Sequence, residues 1–248
     1  MPSPNTESHN PDKLPYLDWL ARTRWGRYVI EVEERVFNRC LLLAGSPSVA
    51  LEIGCGNGRW LKLLSALGWE VHGIDVDAQA LERCRSRVPE AKCTLVSPDS
   101  TGIPAESNSV SLALCIEVAP ALEADWFLPE LCRVTREGAV FFGVHVNRRS
   151  WRGFACRLKY WITGSAFADV YYLTDYPTWK KRLEDAGFDI VHEEGCCWAP
   201  FPRDSDSVLV PFFNRLERAL GLHHRIGLSP WVVFAARKRD SGISGRYE

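Results

Sequence analysis

Long apolar runs are missing from this chain. No uninterrupted apolar stretch in its 248 residues approaches the ~20 needed to cross a bilayer, which argues against a transmembrane helix. Net charge is nearly absent too. Thirty Lys and Arg against 31 Asp and Glu give −1, so no global field draws the protein to nucleic acid or to an anionic membrane, local patches aside. No C-x-x-C pair occurs among the nine cysteines (Cys40, Cys55, Cys84, Cys93, Cys115, Cys132, Cys156, Cys196 and Cys197), which removes the usual zinc spacing. Their number is odd and several fall inside apolar patterns, so they read as reduced, mostly buried thiols of a cytosolic protein. The vicinal Cys196-Cys197 reads as two thiols on a strand edge. His223-His224 have no third ligand at metal spacing, and no metal is expected. Residues 1–13 lack the apolar segment of a signal peptide; polar and spaced by prolines, they predict a disordered tail. The whole reads as cytoplasmic, or at most as a protein resting on a membrane surface.

What is present fits one α/β domain over residues 14–248, with 46% hydrophobic and 25% charged residues. Strands alternate with helices. Helix is predicted over Tyr16–Leu43, then strand 49–53, a helix ending at Gly68, strand 70–75 and a helix over Ala78–Arg87. Strand follows near Lys92–Val96 and at Val110–Ile116, helix at Leu122–Val134 and strand at Ala139–Val146. Helix at Thr178–Ala186 and strands at Phe188–His192 and Trp231–Arg237 complete the pattern. It implies a doubly wound, seven-stranded, mostly parallel sheet. Two segments exceed a minimal sheet. In 147–173, Trp151, Phe154, Ala155, Leu158, Trp161 and Ile162 share one helical face; in 195–230, Val208, Leu209, Phe212, Phe213, Leu216, Ala219 and Leu220 make an apolar arc. Both read as cover over the strand ends where ligands sit in open α/β folds. The first, flanked by Arg and Trp, also fits a peripheral membrane contact.

The most informative run is Val49-Ala-Leu-Glu52-Ile-Gly54-Cys55-Gly56-Asn-Gly58. An apolar strand with one carboxylate breaks into three alternate glycines and then a helix. Glycine accepts positive φ and lets backbone approach a ligand, so this is a nucleotide-type turn. The spacing is G-x-G-x-G, and the acid precedes the glycines, which shifts the reading from a nicotinamide dinucleotide towards S-adenosylmethionine. Asp75 closes the second strand, 21 residues after Gly54, where a carboxylate can accept from both ribose hydroxyls. Asp77 reads as the N-cap of the next helix. Asp99, in the loop after the third strand, should lie beside the adenine.

On these residues the chain resembles class I S-adenosylmethionine-dependent methyltransferases of the small-molecule type related to quinone biosynthesis. The resemblance spans Tyr16-x-x-Trp19-x-x-x-Thr23-x-x-Gly26-Arg-Tyr, Leu51–Gly58, Gly73-Ile-Asp-Val-Asp, Asp99 with Ile103-Pro104, Leu131-Cys-Arg-Val, Val146-Asn-Arg-Arg-Ser-Trp and Ala186-Gly-Phe. It departs at Arg136-Glu137-Gly138, where the family has Pro-Gly-Gly, and at Ser109-Val110-Ser111, where it has Ser-Phe-Asp. The resemblance implies that Glu52 and the backbone of Gly54 and Gly56 hold the methionine end, with Cys55 and Gly58 of the same loop also at the cofactor. It implies that Asp75 takes the ribose, with Val76 beside it at the cofactor, that Asp99 with Ser100 takes the adenine side, and that the backbone near Cys115 and Ile116 lines the sulfonium. The N-terminal segment would fold over the cofactor.

Methyl transfer from a sulfonium asks the protein mainly for alignment and exclusion of water. A hydroxyl acceptor would also use a base, for which Glu117 and His145 are the candidates near the strand ends. The acceptor is expected to be a small molecule. Nucleic acid is not expected: neither Asp/Asn-Pro-Pro-Tyr nor Pro-Cys follows the fourth strand, and no basic stripe tracks a backbone. A nicotinamide-dependent oxidoreductase and a non-catalytic cofactor-binding module are the alternatives.

Overall fold

The computed structural model describes residues 20–164 and 171–240. The predicted tail and Tyr16–Trp19 of the N-terminal motif lie outside the described residues, as does the 165–170 part of the first cover segment.

Seven strands form one sheet: β1 (Val49–Ile53), β2 (Glu70–Asp75), β3 (Lys92–Leu95), β4 (Val110–Cys115), β5 (Thr135–Val146), β6 (Phe188–Cys196) and β7 (Trp231–Lys238). Their order is β3-β2-β1-β4-β5-β7-β6. The first five are parallel; β7 runs antiparallel to both β5 and β6. The described helices are α1 (Arg24–Ala44), α2 (Arg59–Ala66), α3 (Ala78–Arg87), α4 (Ala119–Leu122), α5 (Phe127–Val134), α6 (Trp151–Thr163), α7 (Tyr176–Asp185) and α8 (Val210–Ala219).

Register places the functional strand ends together. Ile53 lies opposite Ile74 on one side and Cys115 on the other, and Asp75 lies opposite Leu95. Strand order reverses between β1 and β4, which opens the crevice where doubly wound sheets bind ligands.

The pleat sorts β1 between two apolar layers. Ala50 joins the layer under α1 and α2, where Phe37 contacts Trp60 and Phe142 with ring centroids 4.6 and 5.3 Å apart. Leu51 and Ile53 join the layer under α5 and α7, built on Phe127, Phe141, Trp179 and Phe234. Trp179 and Phe234 lie 4.8 Å apart with no exposed surface. Each such side chain contributes roughly 1.5–3 kcal/mol of burial.

The structure corrects several boundaries. Helix α1 starts at Arg24, because Thr23 is extended and its hydroxyl caps the Gly26 amide at 2.9 Å. The helix expected over Leu122–Val134 begins only at Phe127, as α5, while Leu122 ends a separate short helix, α4. Pro129, whose ring would clash with the Asp125 carbonyl of a continuous helix, sits in the first turn of α5. Strands β5 and β6 are longer than expected. The register of β4 on β5 shifts between Val110 and Leu112, beside the two departures from the family pattern. The largest correction concerns the two cover helices. Both α6 and α8 turn the apolar face towards solvent instead of onto the sheet: Phe154, Leu158, Trp161 and Ile162 are exposed on α6, and Leu209, Phe212, Leu216 and Leu220 in or beside α8. What α8 buries is Val210 and Glu217. Among the described residues no helix is long and apolar enough to cross a membrane.

Candidate cofactor site at the strand ends

The loop after β1 uses all three glycines in the left-handed region, with φ of 74° at Gly54, 51° at Gly56 and 76° at Gly58. Two also serve packing. A Cβ on Gly54 would lie 2.4 Å from a Val118 methyl, and one on Gly58 would lie 2.6 Å from Cys84 Sγ. The loop is pinned to β2: the Gly54 and Cys55 amides donate to the Ile74 carbonyl at 2.8 and 3.1 Å. The Gly56 amide donates to Asp75 Oδ2 at 2.7 Å and the Asp77 amide to Oδ1 at 2.9 Å. Asp75 is thereby held in one orientation, and each oxygen keeps a further lone pair for a ligand. Val76 beside it is exposed. Asp77 caps α3 through the Gln79 and Ala80 amides, as its position suggests.

The loop after β3 is tied to the same corner by the Val96 amide, which donates to the Asp75 carbonyl at 3.0 Å. Thr94, Val96, Asp99, Ser100 and Ile103 line an open cleft of 640 Å³ there. A larger open cleft of 820 Å³ runs along α3 from Asn57 through Gln79 and Glu82 to Arg87. It is polar and leads away along the outside of the helix; the first cleft takes in Asp99 and Ser100 and is tied to Asp75 through Val96. Cys115 ends β4 fully buried, its thiol pushed up by burial and kept neutral.

Sequence reasoning missed Glu33. It comes from the middle of α1, is only 3% exposed, and one of its oxygens has no hydrogen-bond partner. Arg59, the first residue of α2, lies 3.7 Å away. Burial, then the neighbouring Glu117 charge, pushes its carboxyl up to about 8. A charged residue in mid-helix looks solvent-facing from sequence; only its place on the buried stripe with Val29, Val32 and Val36 hinted otherwise. Glu52 is similar. It is buried, keeps one unpartnered oxygen, accepts from the Leu61 backbone and is raised well above the usual range, chiefly by burial.

Glu117 follows β4 with φ 58°, a strained value for a side-chain-bearing residue, and pairs with Arg203 at 3.5 Å. Arg203 in turn lies over the rings of Trp231 (4.6 Å) and Tyr171 (5.7 Å). His145 is elsewhere. Odd positions of β5 face α5 and α7, so His145 lies across the sheet from Glu33 and Glu52, with no exposed surface. Its Nε2 is 2.9 Å from Glu123 Oε1, and its ring packs between Tyr176 and Trp179. The structure thus brings the glycine loop, Asp75, the Asp99 loop, Cys115, Glu33 and Glu117 to one edge and does not bring His145 beside them.

The methyltransferase domain family matches residues 51–143, from β1 to β5. This segment is a methyltransferase domain. The methyltransferase uses S-adenosylmethionine as its cofactor, and the residues present fit that group: buried carboxylate oxygens without partners suit a ligand carrying an ammonium and a sulfonium. No curated protein matches the sequence. Among solved structures the chain is similar to a geranyl diphosphate C-methyltransferase from Streptomyces coelicolor A3(2), at 14% identity over 92% of this chain and 84% of that one, TM-score 0.60. An S-adenosylmethionine-dependent methyltransferase from Mesorhizobium loti shares 18% identity over 83% and 97%, TM-score 0.58. The 4+2 cyclase SpnF shares 17% over 88% and 85%, TM-score 0.59. At these identities the likeness is one of fold, the Rossmann-like methyltransferase sheet.

Proposed function

We propose that this methyltransferase acts on an apolar small molecule, of the quinone-like kind its sequence resemblance suggests, with the cofactor held between the glycine loop, Asp75 and the Asp99 loop. The observation that carries the reading is the fixing of Asp75 by the Gly56 amide, with the Asp99 loop anchored to the same residue. Asp75 takes the ribose hydroxyls, with Val76 against the sugar; Asp99 and Ser100 meet the adenine. Gly54, Cys55, Gly56 and Gly58 shape the floor beneath the methionine end, and the backbone at the end of β4, by Cys115, lines the sulfonium. Glu52 and Glu33, raised by burial in the free protein, each give up a proton beside the ammonium and become its counter-charges.

Bound there, the sulfonium supplies an activated methyl group. The chain's task is to align the acceptor and exclude water, which is worth up to ~7–11 kcal/mol of barrier. Glu117 sits where an acceptor would approach, with Arg203, Tyr171 and Trp231 behind it. It accepts the acceptor proton when the nucleophile is a hydroxyl. His145, paired with Glu123 inside the core, holds its strand and touches no acceptor.

Calorimetric titration with S-adenosylhomocysteine tests the cofactor half; binding of NADH in its place overturns it. Incubation with cofactor labelled in the methyl group and a hydroxylated quinone tests the other half. Label moving into the organic extract supports an apolar acceptor, and label moving only to water-soluble amines rejects it.

A further inference from the structure

Helix α6 carries its apolar residues on the outside. Trp161 is 82% exposed, Ile162 68% and Phe154 61%, with Leu158 and Trp151 on the same face. Its inward face is minimal: Gly153 is the one fully buried residue. A Cβ there would meet the Arg148 carbonyl oxygen at 2.4 Å, so the helix lies close on its own N-terminal turn. The helix is firmly seated nonetheless. Ser150 caps it through the Gly153 amide, the Trp151 indole donates to the Trp198 carbonyl at 3.0 Å, and Arg152 donates to the Cys197, Ala199 and Phe201 carbonyls. The exposed stripe therefore belongs to an anchored element.

Helix α8 repeats the arrangement. Glu217 faces inward, accepting from the Tyr28 hydroxyl and, at 2.8 Å, from the Ala199 amide, while Phe212, Leu209 and Leu220 face solvent. The segment 197–201 touches both helices, with Phe201 against Phe213 at 5.5 Å.

Charge identifies the occupant. Residues 147–163 contain Arg148, Arg149, Arg152, Arg157 and Lys159 and not one Asp or Glu, in a chain whose net charge is −1. Around α8 the charges are mixed, Arg215, Arg218 and Arg225 against Asp204, Asp206 and the inward Glu217, so the basic excess of this surface lies on the α6 segment. A second copy meeting this face across a two-fold axis would set basic residue against basic residue. An anionic bilayer complements it: Trp, Phe and Ile enter the headgroup boundary while Arg149 and Lys159, both exposed, meet lipid phosphates.

We propose that the outward faces of α6 and α8 form a docking surface for an anionic membrane. This does not rest on the proposed acceptor, although a lipid-phase acceptor would gain from it. The test is cosedimentation of the full chain with vesicles of phosphatidylcholine alone and of equal parts phosphatidylcholine and phosphatidylglycerol. The wild type is expected to sediment with the mixed vesicles, to stay in solution with phosphatidylcholine alone, and to be released by added salt. F154S/W161S/I162S should lose binding at least tenfold, and K159E should weaken it about fivefold. An independent substitution, F212S, should weaken it as well. All these side chains are exposed, and an unchanged melting temperature and S-adenosylhomocysteine titration would show that fold and cofactor site survive. Absence of binding to the mixed vesicles overturns the proposal. So does binding that F154S/W161S/I162S leaves intact, or a wild-type dimer that this variant turns into monomer without any vesicle effect. Loss of cofactor binding by the wild type would instead count against the methyltransferase reading and leave this one untouched.

Discussion

Asp75 and Glu33 place opposite demands on one corner of the molecule. Asp75 is oriented by two backbone amides. Asp75→Ala removes charge-assisted hydrogen bonds worth about 1.5–3 kcal/mol each. It should weaken S-adenosylhomocysteine at least ~10-fold by calorimetry. Glu33 is held protonated at neutral pH, raised to about 8 by burial and then by Glu117. If the cofactor ammonium comes to rest beside it, the carboxyl ionises and a proton leaves. Titration at pH 7 in buffers of different ionisation enthalpy should report net proton release for the wild type and less for Glu33→Gln. Identical release by both would remove Glu33 from the site. Gly58 shows a backbone demand. With φ 76° and Cys84 Sγ 2.6 Å from a would-be Cβ, Gly58→Ala strains both chain and packing. We expect a loss of about 1–3 kcal/mol, read as a lowered melting temperature with weakened cofactor binding.

At the scale of elements, α1 is the piece that joins site to cover. Its Phe37 packs on Trp60 at the start of α2, its Glu33 reaches Arg59, and its Tyr28 binds Glu217 of α8 and the Cys197 amide at 3.0 Å. Tyr28→Phe leaves the Cys197 amide and one Glu217 oxygen buried without this partner. It should cost about 1–3 kcal/mol in a denaturant melt. Alternation and helical periodicity made most of these elements legible beforehand: β1, β2, α3 and β7 lie within a residue of where their patterns put them. The orientation of α6 and α8 was not legible. A hydrophobic stripe says that a face avoids water, and it is silent on whether the sheet or something outside the chain receives it. The inward Glu217 overrode the moment of α8 because Tyr28 and the Ala199 amide satisfy its carboxylate.

For the molecule as a whole, buried carboxyls set the pH dependence, and they split into two groups. Burial raises Glu33, Glu52 and Glu217 above 4.5. Their folded forms bind more protons than the unfolded chain, so their contribution is complete below that value and declines as pH climbs, up to about 8 for Glu33. Burial would also raise Glu123 and Glu194, but His145 and Arg35 outweigh it and hold both below 4.5. Their contribution is present above that value and declines as pH falls further. Thermal melts across pH should therefore peak on the acid side of neutrality, and Glu33→Gln should flatten the alkaline side. A monotonic rise in stability from pH 5 to 8 would contradict this account.

Sequence alone determined the alternating α/β plan, the glycine turn and the aspartate that ends β2, because each depends on local chemistry: a period, a positive φ, a strand end. It placed Glu117 and His145 alike, as polar residues near strand ends. Only tertiary structure parted them, since the pleat sends neighbouring side chains to opposite faces and the layer on each face decides whether a side chain meets a crevice or a core. It also decided that Glu33 joins the site from a distant helix and that two apolar stripes look outward, because burial depends on which surfaces meet and no local pattern encodes the partner.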